Sequence, residues 1–157
     1  MRANSANGYR AMQLSTKGRY AVMAMTDLAG QAPDRAVTLA EIAQRQQLSL
    51  SYLEQLFARL RRRGLVKSVR GPGGGYHLAR PAAETTVADV VVAVDEPLRA
   101  TRCAGHGSIT GCMKGGARCV THDLWEETGR QIYDYLSSVT LADVLAGRLR
   151  SSDRAAA

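Results

Sequence analysis

A mainly α fold with one small β-hairpin is predicted for this 157-residue chain, and three observations predict it. Apolar residues recur at helical period in several separate segments. A tip of four glycines and one proline, Gly71-Pro72-Gly73-Gly74-Gly75, joins two short β-prone runs. Only six Tyr, one Phe and one Trp are present, so the core must be built mainly from Leu, Val, Ala, Ile and Met, which favours small, helix-rich packing. The length suits one domain of ordinary size, or a small domain with an accessory segment, because domains commonly hold about 100 to 150 residues.

Residues 1 to 11 (MRANSANGYRA) are polar and aperiodic and read as a disordered extension ahead of Met12, itself a candidate start. From Ser15, Tyr20, Met23, Ala24 and Leu28 share a helical spacing that only Asp27 interrupts, and Pro33-Asp34 closes the segment. Thr38-Leu-Ala-Glu41 is a capping-box pattern, in which the two end side chains satisfy free backbone N–H groups, and it predicts a short helix over 39 to 46. Ser51-Tyr-Leu-Glu54 repeats the pattern and leads into Leu53, Leu56, Phe57 and Leu60, predicting a third helix over about 51 to 63 with Gly64 at its C-terminal end. Leu65 to Val69 and Tyr76 to Ala79 then read as two strands, whose glycine-rich tip supplies the positive backbone angles a hairpin needs. Three helices and a basic hairpin over residues 12 to 81 make the order of a winged helix-turn-helix. In that architecture the third helix enters the major groove, and the hairpin tip meets the backbone or the adjacent minor groove.

In the second half, Thr86-Val-Ala-Asp89 resembles another helix start, with Val87, Val90, Val91 and Val94 at helical spacing despite their β preference. It falls in a connecting segment, 82 to 97. Residues 98 to 122 have no apolar period, and a loop of that length usually carries a function or an internal staple. Beyond His122, the segment DLWEETGRQIYDYLSSVTLADVL keeps Leu124, Trp125, Ile132, Tyr135, Leu136 and Val139 apolar. It reads as a long helix, either packed on its own domain or, as is expected beside a small DNA-binding domain, forming the seam of a homodimer. Thr140-Leu-Ala-Asp143 opens a short last helix closed by Gly147, so 123 to 147 holds both helices, and 148 to 157 reads as a frayed tail.

The charge is unevenly placed. Residues 1 to 81 carry 13 Lys or Arg against 4 Asp or Glu, a net +9, whereas residues 82 to 157 carry 8 against 10, a net −2. A basic half on a balanced remainder implies a polyanion partner. Arg59, Arg61, Arg62, Arg63, Lys67 and Arg70 fall within 12 residues beside the glycine hairpin, more than the helix macrodipole alone requires. Ser51, Tyr52, Glu54 and Gln55 occupy the N-terminal end of the same helix, where Gln can pair with adenine, Glu can accept from cytosine and hydroxyls can reach phosphates or base edges. Double-stranded DNA is the expected partner. No stretch approaches the roughly 20 apolar residues of a membrane span, and the N-terminus lacks the apolar core of a secretory signal, so a soluble, cytoplasmic protein is expected. There is no Ser-His-Asp set and no paired-carboxylate constellation, and RGPGGGY lacks the Lys-Ser/Thr ending of a phosphate loop, so an enzyme is not expected.

The three cysteines lie within 17 residues in the pattern Cys103-x8-Cys112-x6-Cys119-x2-His122. An odd number in a reducing compartment argues against a disulfide framework. Four soft or borderline ligands admit three readings: an iron-sulfur cluster, a structural Cys3His zinc site, or a redox-sensing thiol loop. Spacing does not separate the first two. His106 is an alternative donor to His122.

Taken together, LSTKGRYAVMAM (14 to 25), LSLSYLEQLFARLRRRGLVKSVRGPGGGYHL (48 to 78), AVDEPLRATRC (93 to 103) and CVTHDLW (119 to 125) closely resemble the IscR-like iron-sulfur cluster regulators. These are a bacterial family of dimeric winged-helix transcription factors, and the match covers about residues 12 to 146. The resemblance implies that Ser51, Tyr52, Glu54 and Gln55 read the major groove, that Arg70 reaches the minor groove, and that Cys103, Cys112, Cys119 and His122 bind a [2Fe-2S] cluster. Arg59 and Arg62 are expected to bind DNA, Arg62 at a backbone phosphate. The family's cysteine gaps are shorter and more nearly equal, and this sequence departs from them with extra residues around His106 to Ile109. Related regulators that sense nitric oxide or iron supply share the three cysteines and use a different cluster, so a [4Fe-4S] cluster and zinc are the alternative cofactors. His122 in the C-x2-H position favours [2Fe-2S]. The expected function is promoter binding under control of that cluster, directed at iron-sulfur cluster biogenesis genes. The rival is a zinc-stapled adaptor whose basic half binds nucleic acid nonspecifically.

Overall fold

A computed structural model describes residues 15–94, 113 and 116–149. The expected extension over 1 to 11, most of the 98 to 122 loop with Cys103, His106 and Cys112, and residues 150 to 157 lie outside the described residues. In chain order the described elements are α1 (Thr16–Ala29), α2 (Leu39–Gln46), α3 (Leu50–Arg62), β1 (Val66–Val69), β2 (Gly75–Leu78), α4 (Val87–Ala93), α5 (His122–Ser138) and α6 (Leu141–Leu145). A single 3-10 turn, Ala82–Glu84, lies between β2 and α4.

Helix α1 buries Ala21, Ala24, Met25 and Leu28, a face turned slightly from the expected one. Met23 is exposed and Tyr20 half-buried. The small side chains of Ala21 and Ala24 decide this, because they let α1 come close to its neighbours in the middle of the fold. Asp27 interrupts the apolar period for a reason that lies on α2. Arg45 Nε donates to both Asp27 carboxylate oxygens at 2.9 and 3.1 Å, and its Nη2 donates at 3.0 Å, while the Asp27 side chain is only 5% exposed. The bidentate pair raises the Arg45 pKa further and pins α2 to α1. Removing the cation strands a buried carboxylate, so Arg45→Ala is expected to lose about 3 kcal/mol in urea unfolding. An Asp27→Leu/Arg45→Met double variant should recover most of that loss. Equal stability of Arg45→Ala and wild type would reject the role.

Helix α2 forms over the expected residues. The Glu41 N–H donates to Thr38 Oγ1 at 3.2 Å, and the Thr38 N–H donates to Glu41 Oε2 at 2.8 Å, closing the capping box. That backbone donor is the main reason the Glu41 carboxyl sits below its ordinary pKa, with Arg35 assisting. Gln47, at φ 54°, turns the chain toward α3. Helix α3 starts earlier than its sequence pattern suggests. Ser49 is the N-cap, its hydroxyl accepting from the Tyr52 N–H, and Ser51 lies inside the first turn. The earlier start wins because the Ser49 carbonyl also takes the Leu53 N–H at 3.0 Å, satisfying donors that a start at Ser51 would leave open. Leu53, Leu56, Phe57 and Leu60 form the buried stripe, as expected, and Gly64 at φ +72° ends the helix.

Strands β1 and β2 pair antiparallel from Val66 opposite Leu78 to Val69 opposite Gly75. The sheet is extended by Val37, which bridges Tyr76 through hydrogen bonds of 2.8 and 3.0 Å. Tyr76 also packs edge-on against Phe57, ring centroids 5.0 Å apart, so the hairpin is tied to both the segment before α2 and the core face of α3. Helix α4 forms despite its valines, since the Thr86–Asp89 capping box starts it and the core takes Val90, Ala93 and Val94. Residues 85–87 then meet residues 139–141: the Val87 N–H donates to the Val139 carbonyl at 2.9 Å and the Leu141 N–H to the Thr85 carbonyl at 3.0 Å. This joint returns α6 to the first half, and Leu141 is fully buried in the same core as Phe57. Val139, expected on the long helix, lies just past its end and packs with Val87 and Val91.

Candidate nucleic-acid interface and metal centre

Helix α3 presents opposite chemistry on its two sides. Its apolar stripe faces the core, while Ser51, Glu54 and Gln55 are exposed near its N-terminal end. Tyr52 is only half-buried, because its ring lies edge-on to Tyr20 with centroids 6.0 Å apart. Toward the other end, Arg61, Arg62 and Arg63 are exposed and Arg59 is partly covered. Arg62 Nε donates to the Ala58 carbonyl at 3.3 Å, one helical turn back. Lys67 on β1 and Arg70 at the start of the hairpin tip are also exposed. Beyond Arg70, Gly71, Gly73 and Gly75 have φ of +96°, +72° and +153°, and the Gly74 N–H donates to the Gly71 carbonyl at 2.9 Å. Base-reading residue types, a basic helix end and a basic hairpin thus occupy one continuous stretch of chain around a rigid core.

A second site starts α5. Cys119 is half-buried immediately before the helix, and the His122 N–H donates to its carbonyl at 3.0 Å, holding the two donors in one turn. Cys119 Sγ lies 3.7 Å from Thr121 Oγ1. The His122 side chain is buried, and its Nε2 lies 3.5 Å from a Glu126 carboxylate oxygen one helical turn on. Asp123 is also near, so that ligand atoms of His122, Asp123 and Glu126 fall within 4.8 Å of one another. Sequence reasoning did not single out Asp123 or Glu126, although His-x3-Glu on a helix is a spacing that brings two side chains to one face. A thiol and a buried imidazole on one turn fit a soft metal group, whereas two exposed carboxylates beside the imidazole suit a harder ion. The other expected donors, Cys103 and Cys112, lie outside the described residues.

Helix α5 itself buries only His122 and Gly129. Leu124, Trp125, Tyr133 and Tyr135 are exposed along it, while Ile132 and Leu136 are half-buried. Among the described residues no helix is long and apolar enough to cross a membrane.

Comparison with known proteins agrees with this geometry. The family model of Rrf2, an iron-dependent transcriptional regulator, matches residues 14–147. The transcriptional regulator IscR of Photorhabdus laumondii is 54% identical over 134 residues, covering 85% of this chain and 79% of its own. The solved structure of T. potens IscR superposes with a TM-score of 0.69 at 38% identity, covering 92% of this chain and 97% of that one. That of CymR, the global cysteine regulator of B. subtilis, gives 0.72 at 31% identity, covering 87% and 98%. The fold is therefore the winged helix-turn-helix of these regulators, and DNA is the partner that the family implies. This chain belongs to the Rrf2 family of transcriptional regulators.

Proposed function

We propose that this protein is a homodimeric, IscR-like regulator whose promoter binding is controlled by a [2Fe-2S] cluster on Cys103, Cys112, Cys119 and His122, acting on iron-sulfur cluster biogenesis genes. The observation that carries the reading is the turn holding Cys119 and buried His122 at the start of a helix whose apolar side chains are exposed. When bound, such a cluster supplies a group whose presence depends on iron and sulfide supply and on oxidants. The chain's own residues do the rest. Cys119 and His122 tie the loop to α5, Glu126 orients the imidazole, and the face carrying Trp125 and Tyr135 seats a second copy. Holding the loop would bias how two copies set their α3 helices, and so which promoter sequence they prefer. A zinc or [4Fe-4S] version of the same site is the second reading; the Asp123 and Glu126 carboxylates beside His122 speak for a single ion such as zinc, which takes nitrogen and oxygen ligands, over a cluster.

Anaerobic purification with a visible spectrum and iron, sulfide and zinc analysis tests the cofactor. Iron and sulfide near two per chain support the proposal, and colourless protein with one zinc rejects it. The DNA half is tested by two arginines. Arg62→Ala should weaken all sequences alike and lower the salt slope by about 1, as expected for one lost phosphate contact. Arg70→Ala should instead weaken binding with lost discrimination at one position of the site. Wild-type binding by both variants would reject the placement of the interface.

A further inference from the structure

We infer that Leu50 is a specificity-determining residue that reads a thymine by its C5-methyl group in the major groove. The inference rests on α3 being the recognition helix, as proposed above. Leu50 is the first residue of α3, and it is 43% exposed although Leu53, Leu56 and Leu60 on the same helix are essentially buried. Its exposure is not needed to start the helix. The N-cap is Ser49, whose hydroxyl takes the Tyr52 N–H, and the apolar residue placed to pack over the first turn is the half-buried Leu48, which belongs to the core contacts. At about 100° per residue, Leu50 stands about 40° around the helix from Glu54 and one turn before it. It therefore borders the exposed set of Ser51, Glu54 and Gln55 at the helix end that reaches bases in helix-turn-helix proteins.

The chemistry of that border is selective. Ser51, Glu54 and Gln55 can recognise donors and acceptors, but none of them presents an apolar surface. In the major groove the thymine methyl is the one apolar feature that distinguishes a base pair, and an aliphatic side chain is what recognises it. Leu50 is open to water in the free protein, so contact with a methyl removes apolar area of both partners from water on binding.

The test removes the methyl without touching a hydrogen bond. The full-length protein selects its preferred duplex from a randomised pool, and each thymine of that duplex is then replaced singly by deoxyuridine. Wild type should lose about fourfold in affinity at one thymine per half-site, the effect of roughly one buried methyl-sized group. Leu50→Ala should bind the parent duplex about fourfold more weakly and be indifferent to deoxyuridine at that same position. Its melting temperature should match wild type, since the side chain is outside the core. Equal deoxyuridine penalties for both proteins at every thymine, or no penalty for wild type anywhere, would overturn the assignment. Failure to enrich any duplex from the pool would instead overturn the reading of α3 as a recognition helix, and this inference with it.

Discussion

Gly75→Ala is expected to lower folding stability by about 2 to 3 kcal/mol and to abolish tight binding to the preferred DNA duplex. A Cβ at this position would lie 2.4 Å from the Val37 carbonyl oxygen and 2.5 Å from its carbon, and the backbone φ is +153°. Both neighbours are main-chain atoms, so no rotamer change relieves the clash. The close approach exists because the next residue, Tyr76, exchanges two hydrogen bonds with Val37. To accept a methyl group, the hairpin must release that bridge and loosen the Tyr76–Phe57 packing beneath it. Arg70 would then lose its fixed position relative to α3. For a domain of this size the loss corresponds to roughly 5 to 10 °C in melting temperature. Gly73→Ala is the control, since Gly73 has φ +72° with nothing within 4 Å of the added Cβ, and it should cost only about 1 kcal/mol. Equal melting temperatures for the two variants would show that the bridge to Val37 contributes nothing.

The hairpin illustrates what a sequence discloses. Its glycines announce positive backbone angles, and two β-prone runs flank them, so the strands were legible to within one residue at each end. The reason for Gly75 was not, because Val37 is distant in sequence and, though a β-former, stands alone as an isolated bridge with no strand-like run around it. The capping boxes at Thr38, Thr86 and Thr140 were legible for a local reason: both partners lie within four residues, and all three form. Ser49 and Ser51 show the limit of that logic. Ser51-x-x-Glu54 is the better pattern, yet the earlier start leaves fewer backbone donors open, and the backbone decides.

Long-range pairing hid the rest. Asp27 looked like a flaw in an apolar stripe until Arg45 arrived from α2. The contact between residues 85–87 and 139–141 makes α6 part of the first core, which no periodicity could announce. At the turn that opens α5, Cys119 and His122 stood out by residue type, while Asp123 and Glu126 looked like ordinary acids in the first turns of a helix, where the macrodipole favours them anyway. Their proximity to His122 emerges only once α5 is built, and it creates two competing donor sets around one imidazole.

Variants on that turn separate the donor sets. Cys119→Ala is expected to purify without iron, sulfide or visible colour, because a cluster held by four side chains loses one directly. The apo forms of variant and wild type should melt together, since Cys119 is half-buried and precedes the helix. Glu126→Gln should have a weaker effect: its carboxylate sits 3.5 Å from His122 Nε2 and acts through the imidazole, and loss of such an outer partner typically reduces metal affinity about 10- to 100-fold. The order of the two effects decides between the sites. A harder ion held by His122, Asp123 and Glu126 would reverse it, with Glu126→Gln losing the metal and Cys119→Ala keeping it. Promoter choice supplies the second readout, because a cluster that controls binding must change what the protein selects. If Cys119→Ala enriches the same duplexes from a randomised pool as wild type, with the same affinities, then the loop does not govern α3 whatever it binds. A shifted preference, with the fold unchanged, shows that the Cys119–His122 turn governs promoter choice; α5 packs on α4 and α4 on α3, so these helices lie between the turn and α3.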